Sequence, residues 1–189
     1  MNSAFTHKGE KILKWMKEQP SKNFRKIQEQ LVEAKCSMSN GTPEAVAITC
    51  AVMSYFSEKE ETIYKCVEAA ATKADIEKNL PDTPCLIGFG ESRMLASRFM
   101  LSIDGVVVND HISTFAAGLA MLFCSYYNFN IMYPLDCAAT LEFIQRCFVG
   151  INPDRGSKVQ VKKNCKRYSQ THPKVLSLIS AIADVDWRS

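Results

Sequence analysis

No window of this chain approaches the roughly 20 predominantly apolar residues needed to cross a bilayer. The most apolar stretch, FAAGLAMLFCSYYNFNIMY from Phe115 to Tyr133, has helical periodicity and many polar-tipped side chains, which points to a core helix. No membrane association is expected. The beginning, MNSAFTHKGEKILKWMKEQP, carries Lys8, Glu10, Lys11 and Lys14 where a secretory leader needs an unbroken apolar run, so an intracellular protein, cytoplasmic or nuclear, is expected. Charge of one sign is also lacking. A net charge of +3 does not by itself argue for a polyanion partner; its distribution matters more, with basic ends and an acidic middle.

Clustered metal ligands and catalytic motifs are missing as well. Cys36, Cys50, Cys66, Cys85, Cys124, Cys137, Cys147 and Cys165 are scattered and form no Cys-x-x-Cys knuckle. Cys165 and His172, the nearest pair of candidate ligands, stand seven positions apart, so no metal is expected. Away from a secretory context the cysteines are expected to be buried thiols, and the sequon Asn40-Gly41-Thr42 to be silent. With only His7, His111 and His172 available, Asp110-His111 is the sole suggestive partner for a cysteine nucleophile. That pair precedes a predicted helix, where an acid and a polar side chain serve as ordinary starting residues.

Phosphate-binding loops fare no better. There is no Gly-Lys-Ser or Gly-Lys-Thr, and Gly88-Phe89-Gly90 lacks the third glycine of a dinucleotide fingerprint, Arg93 standing in its place. A plain turn over 91–97 is expected. Glu58, Glu60 and Glu61 form an acidic cluster, but at a helix start acids already complement the dipole. No catalytic residue and no cofactor is therefore expected, and the chain is read as a non-enzyme.

What is present supports a folded core. The chain is 47% hydrophobic, 10% aromatic and 23% charged, enough apolar surface to offset the entropy of ordering 189 residues. A first helix is predicted over 5–19, stopped by Pro20, and a second begins after Ser21 with Phe24, Ile27, Leu31 and Val32 on its apolar side. Thr42-Pro43-Glu44 combines an N-cap, an N1 proline and a dipole-matched acid, opening a third helix that runs to about Phe56 and is apolar nearly all round. Ser57 and Glu60 have capping-box spacing, which predicts a fourth helix over 58–78.

Beyond Pro81 the pattern changes. Cys85–Phe89 is a short apolar run bounded by prolines and glycines, and 98–103 with 106–108 flank the hairpin dipeptide Asp104-Gly105. Ser113 is placed as the cap of a long helix ending before Pro134, a further helix is predicted over 135–149 with Glu142, Gln145 and Arg146 opposite its apolar side, and Thr171-His172-Pro173 opens a last helix striped by Val175, Leu178, Ile179 and Ile182. The predicted class is α+β, mainly α: a multi-helix bundle with a small antiparallel hairpin or sheet between N-terminal and C-terminal helices. Residues 1–80 form a region of four helices and 81–189 the β element with the later helices, together one compact domain without internal repeats.

The segments PCLIGFG, FMLSIDG, ISTFAAGLAMLFCSYYNFNIMYP and TLEFIQRCFVGINPDRGSK, with HPKVLSLI, resemble the C-terminal region of fish sterile alpha motif domain-containing protein 3-like proteins over residues 81–186. The asparagine-rich, proline-stopped turn from Tyr127 to Pro134 carries much of that likeness. The resemblance implies a recurring helical module of mobile-element descent and transfers no catalytic residue. Family members are longer and often carry a sterile alpha motif upstream, of which residues 1–80 show no counterpart.

One stretch stands out for function. Between 155 and 168, Arg155, Lys158, Lys162, Lys163, Lys166 and Arg167 occur without an acid, and Tyr168 offers a ring for stacking on a base. The leading expectation is a protein–protein interaction module acting through its surface and its strand edge. Two alternatives are a nucleic-acid-binding domain using these residues, with the basic N-terminal helices adding charge, and a self-assembling structural domain that forms homo-oligomers.

Overall fold

The computed structural model describes residues 2–37, 43–153, 158–159 and 171–184. Helix α1 spans Asn2–Glu18, α2 Lys22–Cys36 and α3 Pro43–Phe56. Ile12, Trp15 and Met16 of α1 pack with Phe24, Ile27, Leu31 and Ala34 of α2, and Trp15 meets the rings of Phe24 and Tyr55 edge-on at 5.6 and 5.4 Å. The three-four-three spacing of the α2 residues defines one face. Val32 falls off that face and is exposed, contrary to expectation, and Ala34 takes its place. Helix α3 is buried on nearly every side, as its sequence predicts.

The long helix predicted over 58–78 does not form. Ser57 turns into the left-handed region with φ of 60°, and a 3-10 turn at Glu60–Thr62, strand β1 at Tyr64–Val67 and a short helix α4 at Lys73–Glu77 follow. Tertiary partners override the local signal. Ile63 and Tyr64 are buried, Tyr64 lies 5.0 Å from Phe115 ring to ring, and β1 pairs in parallel with the next strand. Acids of the expected helix start serve distant elements instead: Glu58 accepts from the amides of Ala139 and Thr140, and Glu60, the capping-box acid, pairs with Arg93.

Strands β2 (Cys85–Phe89), β3 (Arg98–Ile103) and β4 (Val106–Ile112) complete a sheet of order β1-β2-β3-β4, with β2–β3 and β3–β4 antiparallel. The expected hairpin is present, and β1 makes the sheet mixed rather than purely antiparallel. Asp104 and Gly105 take φ of 58° and 73°, the doubly left-handed turn that matches strand twist. One sheet face carries Leu86, Phe99, Leu101 and Ile112 into the main core, while Ile87, Phe89, Met100 and Val107 meet Ile76 of α4 on the other. Between β2 and β3, residues 91–95 form bends and turns, as expected. Asp110 and His111 belong to β4 and are exposed, so they do not start a helix.

Helix α5 runs from Phe115 to Asn128 and is capped by Thr114, whose Oγ1 accepts from the Ala117 amide at 3.2 Å, rather than by Ser113. It stops well before Pro134. The helix predicted over 135–149 begins later, as α6 at Ala138–Phe143, and continues into a π-helical turn at Ile144–Val149 that Gly150 closes with φ of 80°. Its supposed polar side is largely internal: Glu142 and Gln145 are buried. Helix α7, Pro173–Ala183, has proline at its start and buries Val175, Leu178 and Ile182. The main core draws on residues from Ile12 to Ile182, and the pairing of β1 with β2 crosses the division between 1–80 and 81–189.

Candidate interaction surface

The connector between α5 and α6 is built by competition for its aromatic residues. After Asn128 the chain bends back, with the amides of Phe129, Asn130 and Ile131 donating to the carbonyls of Ser125, Tyr127 and Tyr126 at 3.0, 3.2 and 3.0 Å, and Asn130 in the left-handed region at φ of 51°. Tyr133 then turns inward. Its ring meets Tyr126 edge-on at 5.3 Å, and its hydroxyl donates to Gln145 Oε1 at 3.0 Å. Gln145 in turn donates to the Ile151 carbonyl at 3.1 Å. Burial pushes the Tyr133 hydroxyl far above the ordinary phenol range, so it stays a neutral donor.

Tyr133 is committed to the core and Ile131 packs partly against it, whereas three other apolar side chains near them stay outside. Phe129 is 65% exposed, Met132 40% and Leu135 46%. These three exposed apolar side chains lie on the one connector between α5 and α6, which makes it the candidate contact segment. The connector is also held from the other side: the Tyr133 amide donates to the Lys158 carbonyl at 2.5 Å, and Tyr133 forms a parallel bridge with Val159. The Lys158 ammonium stands 4.8 Å from the Tyr127 ring centre and 3.4 Å from Asn130 Oδ1. Of the seven expected polyanion-binding residues, Lys158 is thus placed beside this connector. Arg155, Lys162, Lys163, Lys166, Arg167 and Tyr168 lie outside the described residues.

The strand edge is less open than the sequence suggests. Val106 and Val108 on β4 are exposed, yet the Val107 amide donates to Glu77 at 3.4 Å and the His111 amide to the Asn109 side chain at 3.0 Å. Two donors that an added strand would use are already occupied. His111 Nδ1 lies 2.5 Å from Asp110 Oδ1 on the surface, and that hydrogen bond holds the Asp110 carboxyl below its usual range.

The remaining polar groups singled out in the sequence do structural work. Arg93 pairs with Glu60, donates to Gln30 Oε1 at 2.6 and 3.2 Å, and accepts from the Tyr64 hydroxyl through its carbonyl at 2.9 Å, clamping the β2–β3 connection to α2. Gly88 is required by packing rather than by phosphate: a Cβ there would stand 2.4 Å from the Tyr64 hydroxyl oxygen. Glu142 Oε1 accepts from Arg146 Nε at 3.3 Å while Oε2 accepts from the His172 amide at 3.1 Å, joining α6 to the start of α7.

The described thiols divide into two groups, and Cys165 lies outside the described residues. Cys50, Cys85, Cys137 and Cys147 are buried as expected, whereas Cys36, Cys66 and Cys124 are exposed. Burial pushes the thiol of Cys50 up to about 11 and that of Cys85 up to about 12, so both stay protonated near neutral pH. Among the described residues no group of three or more His, Cys, Asp or Glu side chains is placed to hold a metal ion, and no helix is long and apolar enough to cross a membrane.

No protein-family model, no curated protein and no solved structure matches the chain. The fold and the surface therefore define a class only: a mainly helical α+β protein with an apolar connector exposed beside a lysine. Phe129, Met132 and Leu135 are not among the expected site residues: the asparagine-rich turn over Tyr127–Pro134 is visible in the sequence, but which of its apolar side chains turn inward is set by tertiary packing.

Proposed function

We propose that this chain is a non-enzymatic protein–protein interaction module that binds through the α5–α6 connector. The observation that carries the proposal is the exposure of Phe129, Met132 and Leu135 on a segment pinned from within by Tyr133 and from outside by Lys158 and Val159. Pinning matters because a pre-ordered surface loses little entropy on binding. The protonated state of the buried thiols and the structural engagement of Arg93, Glu58 and Glu142 support a binding role over a catalytic one. The likeness of residues 81–186 to the C-terminal region of sterile alpha motif domain-containing protein 3-like proteins belongs to the same proposal, as a recurring helical module.

The test places a photo-cross-linking benzophenone side chain at position 129 and, as control, at the exposed position 32 on α2. Protein adducts that form at 129, are absent at 32 and vanish with Leu135→Ser support the proposal; equal labelling at both positions overturns it. A second reading, nucleic-acid binding, is favoured by the seating of Lys158 against the connector. It requires micromolar affinity for an oligonucleotide that falls steeply as salt is raised, through counterion release. Light scattering across a concentration series reads out self-assembly, which a strict monomer rules out.

A further inference from the structure

We infer that the corner between α1 and α2 binds the phosphate backbone of a nucleic-acid duplex without reading its sequence. This surface is separate from the α5–α6 connector and owes nothing to the interaction proposal above. Charge is the first observation. Lys17, Lys22, Arg25 and Lys26 are all exposed, and Glu18 is the one acid from 17 to 26, so this short stretch carries a net +3, as much as the whole chain. Lys22, Arg25 and Lys26 stand at i, i+3 and i+4 at the start of α2, so Lys22 neighbours both of the others at about 5–6 Å between Cβ atoms. Their side of the helix is opposite the one that carries Phe24, Ile27, Leu31 and Ala34 into the core. The edge-on contact of Trp15 with Phe24 holds the last turns of α1, with Lys17, against the same end of α2.

Local stability does not account for this arrangement. A helix start favours acids and a bonded cap, yet the first turn of α2 has no acid and Ser21 makes no side-chain cap bond. Cations placed there oppose the helix dipole, and a nearby acid would ordinarily offset them. Glu29 lies within one turn of Arg25 and Lys26, but among the described residues none of the four cations is in an ion pair. Their charge is open to an external anion. Side-chain chemistry then narrows the partner. Trp15 and Phe24 are buried, and from 17 to 26 no large apolar side chain is exposed. Nothing is offered that would anchor a peptide, enter a membrane or stack on an unpaired base. Lysine and arginine, with the exposed amide of Asn23, are the groups that contact phosphate and sugar, and such contacts carry no sequence information.

The experiment uses the full chain and measures binding to two fluorescent DNA duplexes of unrelated sequence, to a single-stranded oligothymidylate and to vesicles of anionic lipid. The two duplexes are expected to bind equally and more tightly than the oligothymidylate, with log affinity falling against log salt at a slope of about −3, as three to four neutralised phosphates require. Lys22→Glu with Arg25→Glu is expected to weaken duplex binding at least tenfold and to flatten that slope by about 2. Its thermal midpoint is expected to hold or rise, because acids then sit at the positive end of α2. Should the glutamates unfold the chain, Lys22→Gln with Arg25→Gln is read instead, with the same direction expected. Lys78→Glu with Lys174→Glu changes the charge equally at exposed positions elsewhere and is expected to alter affinity less than threefold. Absent duplex binding, binding that ignores salt, full affinity in the α2 variants, or an equal loss in the control pair overturns the inference. Tighter binding to the oligothymidylate or to the vesicles overturns the assignment to a duplex. None of these outcomes bears on cross-linking from position 129, so the connector proposal is judged separately.

Discussion

Replacing Glu142 by glutamine tests how strongly the buried polar link between α6 and α7 stabilises the fold. The Glu142 and Arg146 side chains are only 6% and 11% exposed, and the same carboxylate accepts from the His172 amide, so one substitution strands a guanidinium and weakens the entry to α7. Removing one partner of a buried ion pair costs about 3–5 kcal/mol because the other charge is left uncompensated. For a chain of this size that lowers the thermal midpoint by about 6–20 °C. Glutamine preserves the volume, so no cavity term contaminates the result. Urea unfolding followed through buried Trp15 gives the stability, provided the denaturant slope is unchanged. Two comparisons sharpen it. Lys35→Met breaks the exposed Lys35–Glu44 pair, 2.9 Å apart but half in solvent, and is expected to cost less than about 1 kcal/mol. Adding Arg146→Met to Glu142→Gln removes the stranded charge and is expected to recover at least about 1 kcal/mol. A cost for Glu142→Gln no larger than that of Lys35→Met, with no recovery in the double variant, refutes the reasoning.

Gly88→Ala drives a Cβ against the Tyr64 ring, which is held by Phe115 and by its bond to the Arg93 carbonyl, so about 2–3 kcal/mol is expected; Gly105→Ala meets no neighbour and pays only for left-handed backbone, about 1–2 kcal/mol, an order that urea midpoints check. Brief iodoacetamide treatment of the native protein near neutral pH is expected to label Cys36 and Cys124 first, Cys66 more slowly because partial burial raises its thiol, and to spare Cys50, Cys85 and Cys137, as peptide mass mapping reads directly; early labelling of Cys85 contradicts its burial. Burial, reinforced by Asp136, raises the Glu58 carboxyl above its ordinary 4.5 against the opposing amides of Ala139 and Thr140. A raised folded-state value favours the protonated form, so the stabilising contribution is complete below 4.5 and is lost as pH rises through the raised value. The stability of the native chain relative to Glu58→Gln is therefore expected to fall across that window, and a rise or a flat difference speaks against it.

Much of this protein was legible without coordinates because its signals are local. Pro43 at a helix start, Asp104-Gly105 at positive φ, the continuous apolar run of β2 and the stripe of α7 each act through neighbours a few residues away, where backbone sterics and hydrophobic periodicity dominate. The mainly helical α+β class followed from them. What tertiary structure decided was every choice between competing partners. Ser57 and Glu60 have the spacing of a helix start, yet Glu58 and Glu60 find better partners at the α6 amides and Arg93, and Tyr64 finds a pocket between Phe99 and Phe115, so a strand forms. Glu142 and Gln145 look like a solvated helix face until α7, Tyr133 and Ile151 enclose them. The exposed connector follows the same logic: Tyr133 is taken into the core against Tyr126, while Phe129, Met132 and Leu135 on the same segment face water.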